Sequence, residues 1–155
     1  MKAMHWIIAA VAFSSVQPAQ AGVNDPEVII YRFPGVRDDG GANNLGIATV
    51  FHCTNFSGTV ENIRFVTRTF DGAIKFNDVT NIPHLFTRTA TTHVVAAYVG
   101  DVNMNTGIVN QGTTAIAATS TNVICTAMTI DAANAKPVGL ALRGIRFSPV
   151  PGSQE

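Results

Sequence analysis

Short runs rich in Val, Ile, Phe, Tyr and Thr recur about every ten residues along this chain, and Gly, Asn, Asp or Pro separates each run from the next. β-branched and aromatic side chains suit a pleated backbone and the punctuating residues suit turns, so the pattern predicts an antiparallel sandwich or barrel. No stretch holds a helical apolar period for three turns. Strands are expected at Glu27 to Phe33, Gly46 to Thr54, Glu61 to Thr69, Ala73 to Asn77, Leu85 to Arg88, Thr92 to Val99, Met104 to Val109, Ala115 to Thr119, Val123 to Ile130 and Gly139 to Phe147.

Asp71-Gly72 is the sharpest local signal, because a type I′ turn needs φ > 0 at both central positions and this dipeptide supplies it. The flanking runs should pair as a hairpin. Alternation places Ile47, Thr49, Phe51 and Cys53 on one face and Ala48, Val50 and His52 on the other; a second set groups Val123, Cys125, Ala127 and Thr129. With Phe65, Leu140 and Leu142 these sets are expected to line a core. The most helix-like window runs from Ala127 to Lys136, with one turn conceivable at Asp131 to Ala135 before Pro137 ends it.

Residues 1–21 have the three parts of a secretory signal: Met1 and Lys2, the apolar run Trp6 to Phe13, and the small residues Ala19, Gln20, Ala21 before Gly22. As a helix the apolar run reaches about 12 Å against roughly 30 Å of hydrocarbon core, so it does not anchor the chain in a membrane. Removal of the 21 signal residues from 155 leaves 134, read as a single domain spanning residues 22–155. The tail from Pro149 to Glu155 should be loosely ordered. The expected destination is the periplasm or the cell exterior.

Both cysteines, Cys53 and Cys125, remain after cleavage, and an oxidising compartment favours joining them. In the chain-entropy model a loop of 72 residues contributes about 4 to 4.5 kcal/mol. Each Cys lies in an apolar run, which suits a bond between two strands facing each other across a core. The fold expected is therefore all-β, a single antiparallel β-sandwich of immunoglobulin-like type with one disulfide.

Only 13% of residues are charged, and ten Lys plus Arg balance ten Asp plus Glu. Counterion release needs an excess of cations, so the balance argues against nucleic acid as a partner. A protein partner remains open.

Residues able to do chemistry are few. A nucleophile needs a base beside it, yet Ser57, Ser120, Ser148 and Ser153 lie in no G-x-S-x-G elbow, and His52, His84 and His93 are dispersed. His52 and His93 are read as outward positions on strands, and His84 after Pro83 as a turn residue. Cys125 lacks the neighbouring His of a blue-copper site. Asp101, Asn103 and Asn105 before Gly107 form a fragment of a calcium loop without its bidentate Glu, which reads as an Asn-rich turn and strand entry. Asp38 and Asp39 should point apart at a turn. Arg64 and Arg68 share one strand face and could grip a carboxylate. The possible ligand contacts are thus Arg64, Arg68, His52 and His93; no catalytic, cofactor or metal residue is identified.

The stretches Gly46-Ile47-Ala48-Thr49-Val50-Phe51-His52-Cys53-Thr54-Asn55-Phe56-Ser57 and Ala118-Thr119-Ser120-Thr121-Asn122-Val123-Ile124-Cys125-Thr126-Ala127-Met128 resemble those of uncharacterised small exported proteins of Gram-negative bacteria. That resemblance implies location and fold, and no activity. The expectation is a non-enzymatic exported sandwich used for binding or as a structural accessory. A fimbrial subunit that lends Glu27 to Phe33 to a neighbour is an alternative, although the C-terminus lacks a near-terminal Tyr. A hydrolase or metal site assembled from dispersed His and Asp residues is a further one.

Overall fold

The computed structural model describes residues 22–147, so the expected signal segment and the tail from Pro149 lie outside the described residues. Ten strands follow in order: β1 (Val28–Asp38), β2 (Ile47–Asn55), β3 (Glu61–Thr69), β4 (Ile74–Ile82), β5 (Thr87–Thr91), β6 (Val102–Asn103), β7 (Val109–Ala118), β8 (Val123–Asp131), β9 (Leu140–Leu142) and β10 (Ile145–Arg146). They make two five-stranded sheets, β10-β1-β7-β3-β4 and β6-β5-β2-β8-β9. Apart from the parallel β5–β6 contact, all pairings are antiparallel. The protein is an all-β sandwich. Its first two strands lie in different sheets, whereas the first two of an immunoglobulin domain share one.

Inward positions alternate along the central strands, and three rings join the layers. Phe33 of β1, Phe51 of β2 and Phe65 of β3 are fully buried, with successive ring centroids 5.6 and 6.2 Å apart. Complete burial of each phenylalanine contributes about 2 to 3 kcal/mol. Leu142 packs at the margin of this core, but Leu140 is 78% exposed, contrary to expectation, because β9 is a three-residue edge strand.

The disulfide forms, but not across the core. Cys53 and Cys125 are direct partners on the adjacent strands β2 and β8, with Cα atoms 4.1 Å apart. Such a separation matches a non-hydrogen-bonded antiparallel pair, where side chains approach most closely. Both sulfurs project inward from one sheet, so the alternation was read correctly and the bridging of two sheets was not.

The hairpin at Asp71-Gly72 joins β3 to β4 as expected. Only Gly72 is left-handed, at φ 86°, so the connection is a three-residue loop rather than a type I′ turn. Thr69 accepts from the Gly72 amide and donates to Ala73 O, each at 3.0 Å, and the Asp71 carboxylate caps Ala73.

Three expected strands differ. Residues 92–99 alternate in hydrophobicity yet form no strand: Thr92 N bonds Thr49 O, Val94 O accepts from Asn44, and Ala96 N bonds Ala132 O. Scattered partners replace a ladder because the segment crosses the outer face of the second sheet. There Ala48, Val50, Ile130 and Ala132 need cover, and Val95 with Ala97 and Tyr98 supplies it. Met104 to Val109 reduces to β6 upstream and the first residue of β7, with Asn105 left-handed between them. Gly139 to Phe147 breaks into β9 and β10, which lie in different sheets. The helix-like window is strand up to Asp131 and then a turn closed by Asn134 N on Asp131 O.

Candidate functional site

Arg64 and Arg68 occupy the outer face of the first sheet, since the intervening Phe65 and Thr67 face the core. Arg64 does grip a carboxylate, that of Glu27 in its own chain, with Nε 2.6 Å from Oε2 and Nη2 3.4 Å from Oε1. The Glu27 hydrogen bond holds the guanidinium above its ordinary pKa. Arg64 Nη1 also donates to Asn77 Oδ1 at 3.1 Å. Arg68 Nη1 reaches Gly72 O at 2.8 Å and braces the hairpin.

His52 lies on the outer face of the other sheet. Its ring packs edge-on against Tyr98 at 4.7 Å, and Nδ1 is 3.1 Å from Thr89 Oγ1. Burial pushes its pKa below the ordinary value. His84 occupies the expected turn, where Nδ1 accepts from Gly58 N.

His93 is not an outward strand residue; it is 6% exposed, beneath the end of β1. Nδ1 lies 2.8 Å from Asp38 Oδ2, and Nε2 is 3.0 Å from Leu45 O. A carbonyl only accepts, so Nε2 is assigned the proton that the bond needs. Asp38 is 1% exposed, and it also accepts from Gly40 N and the Thr106 hydroxyl. Asp39 points away as expected, where the Ile47 amide above all, then the Gly41 amide, holds its pKa below the usual range. At the opposite end of the sandwich Glu61, fully buried, accepts from the hydroxyls of Thr59 and Thr119. Both buried carboxylates tie loops to strand ends.

The four sequence-derived contacts are therefore not brought together. Two decorate one outer face, one the other, and one is inside. Among the described residues, no cluster of three or more His, Cys, Asp or Glu has the geometry to hold a metal ion.

A concave site arises instead where the two sheets fail to meet. One flank is closed by the short link between β9 and β10; on the other, the nine-residue edge β4 faces the two-residue edge β6. That mismatch leaves a cleft of about 300 Å³ lined by Phe65, Phe76, Val102, Asp78, Thr80, Asp101 and their neighbours. Phe65, opposite Asp78 in the ladder, faces the core, so Asp78 faces inward too. Phe65 is buried and Phe76 half-buried beside it, while Asp78, inward in register, is exposed at the sheet edge and stands at the rim. Asp101 stands at the other rim, accepting from Thr89 N at 2.9 Å and pairing with Arg88 Nη1 at 3.4 Å.

Sequence reasoning did not assign Phe76, Asp78 or Thr80. Their shared parity, two residues apart, is the signal that could have found them, but the expected strand stopped at Asn77, short of Asp78 and Thr80, whereas β4 runs to Ile82. Asp101 and Asn103 were noticed for a calcium-loop pattern, and they sit at a turn and strand entry.

No family model, no curated protein and no solved structure matches this chain.

Proposed function

We propose that this chain is an exported, non-enzymatic binding domain whose ligand site is the cleft between β4 and β6. The cleft carries this reading: Phe76 and Val102 offer it apolar surface beside the polar side chains of Asp78, Thr80, Asp101 and Asn103, a concave site that mixes both kinds of contact. Two carboxylates on the rim favour a ligand with a cationic head and an apolar body. The imidazoles support binding over hydrolysis, because His52, His84 and His93 lie in separate places and each has a structural hydrogen bond. Export is supported by the tripartite leader and by a disulfide that suits an oxidising compartment. The incorporation of β1 between β10 and β7 favours this reading over one in which that segment is lent to a neighbour.

Thermal-shift titration with benzylamine and with benzoate, which share a ring but differ in charge, tests the reading. Benzylamine should raise the melting temperature and benzoate should not, and the double substitution Asp78→Asn with Asp101→Asn should abolish the difference. Equal responses to both compounds, or no response to either, would overturn it.

A further inference from the structure

The cleft is bordered by an unpaired strand edge, and two side-chain contacts reveal which backbone groups that edge offers. Val79 N donates to Asp78 Oδ1 at 2.8 Å, and Asn81 O accepts from Arg88 Nε at 2.9 Å. Backbone direction alternates along an antiparallel strand, so the odd-numbered residues of β4 present their amides and carbonyls away from β3. Past the register shift that falls at Lys75, residues Asn77, Val79 and Asn81 therefore form a template for an added strand, of which the Val79 amide and the Asn81 carbonyl are already engaged by Asp78 and Arg88.

Asp78 guards that template. Its side chain points inward, a recognised device against indiscriminate edge pairing, and it also occupies the Val79 amide. An apolar incoming strand would bury this carboxylate without compensation and would have to compete for that amide. A strand with Lys or Arg at the matching inward position would draw the carboxylate to itself and release the amide. Across the cleft, Asp101 adds a second negative charge and Arg88, paired with it, one positive charge. The pairing of Asp101 with Arg88 leaves Asp78 for an incoming cation; Arg64 on the outer face acts on Asp78 only at longer range.

Building on the cleft reading, we infer that β4 accepts an extended segment of a protein partner as an additional strand, selected by a basic side chain that enters the cleft beside Asp78. Main-chain bonds hold the segment, and the charge on alternate side chains selects it.

The test uses the disulfide-bonded protein and three heptapeptides of alternating threonine and valine, with lysine, leucine or glutamate at the centre. Amide chemical shifts in the protein are followed as each is added. The lysine peptide should bind about fivefold tighter than the leucine peptide, the order of an exposed charge pair, with the largest shifts at Asn77 and Val79. Asp78→Asn should erase the preference between them. Equal binding of all three peptides, shifts away from β4, or self-association of the protein through β4 would overturn the inference. If benzylamine perturbs Phe65 and Phe76 while no peptide moves β4, strand addition fails and the cleft reading stands; if neither probe binds, both fail.

Discussion

Cys53 and Cys125 face each other on neighbouring strands of one sheet, with Cα atoms 4.1 Å apart, and their sulfurs lie inside the core formed with the opposite sheet. The bond fastens a ladder that backbone hydrogen bonds already define. Its contribution then lies mainly in closing 72 residues of the unfolded chain rather than in holding the layers together. Replacing both cysteines by Ala should lower unfolding free energy by about 2 to 5 kcal/mol while the far-ultraviolet β signal persists. Urea titration followed by circular dichroism measures both; an unchanged midpoint would contradict the assignment.

His93 and Asp38 form a buried pair that pins residues 39–46 and 92–107 to the end of β1 through Leu45 and Thr106. Removing one partner leaves the facing atom of the other desolvated without its bond, while Asp38 keeps the Gly40 amide and the Thr106 hydroxyl and His93 keeps Leu45 O. Asp38→Ala and His93→Ala should each cost about 1 to 3 kcal/mol, the range for a buried polar group that loses a hydrogen-bond partner. The double substitution should cost clearly less than the sum of the two singles, because it leaves no orphan, and additive values from a double-mutant cycle would refute the coupling.

Glu61 has hydroxyl partners instead of a cation, so its substitutions should rank differently. Glu61→Ala removes the acceptor that the Thr119 and Thr59 hydroxyls share and should cost about 2 kcal/mol. Glu61→Gln keeps an acceptor and the volume and should cost less. Denaturant midpoints of the two variants decide the order, and equal midpoints would show that the hydroxyl bonds contribute little.

Stability should also depend on pH through His52. Burial lowers its folded pKa below the unfolded value of about 6.5, so on acidification the unfolded chain takes up the proton first. Its contribution is complete above pH 6.5, declines from there towards the folded value, and is flat below it. His52→Gln should therefore shrink the difference between urea midpoints at pH 7.5 and pH 5. Asp39 acts lower down: its pKa is depressed chiefly by the Ile47 amide, and that stabilisation fades as pH falls from about 3.8 through the folded value. An undiminished midpoint difference in the His52 variant would contradict the burial argument.

Local pattern was enough to specify the central strands. Glu61–Thr69 has the expected bounds, and Phe51, Cys53, Phe65 and Cys125 face inward as alternation requires. Period-two patterning reports which face is buried, but it does not say which strand lies alongside, so the disulfide could be expected without its sheet being known. Residues 92–99 misled for a related reason: alternating apolar residues can line a ladder or lie across a sheet as cover. His93 was legible only as a dispersed histidine because Asp38 lies 55 residues away in sequence. The cleft depends on unequal strand lengths at two sheet edges, β4 and β6, a relation between distant segments that neither segment records alone.

Intermolecular nuclear Overhauser effects from benzylamine in the presence of the oxidised protein test the central claim most directly. Ligand ring protons close to the rings of Phe65 and Phe76, with the methylene beside Asp78, are predicted, and Asp78→Asn should weaken them. Contacts confined to the outer faces around Arg68 or Tyr98, or none at saturating amine, would contradict the assignment of the cleft as the binding site.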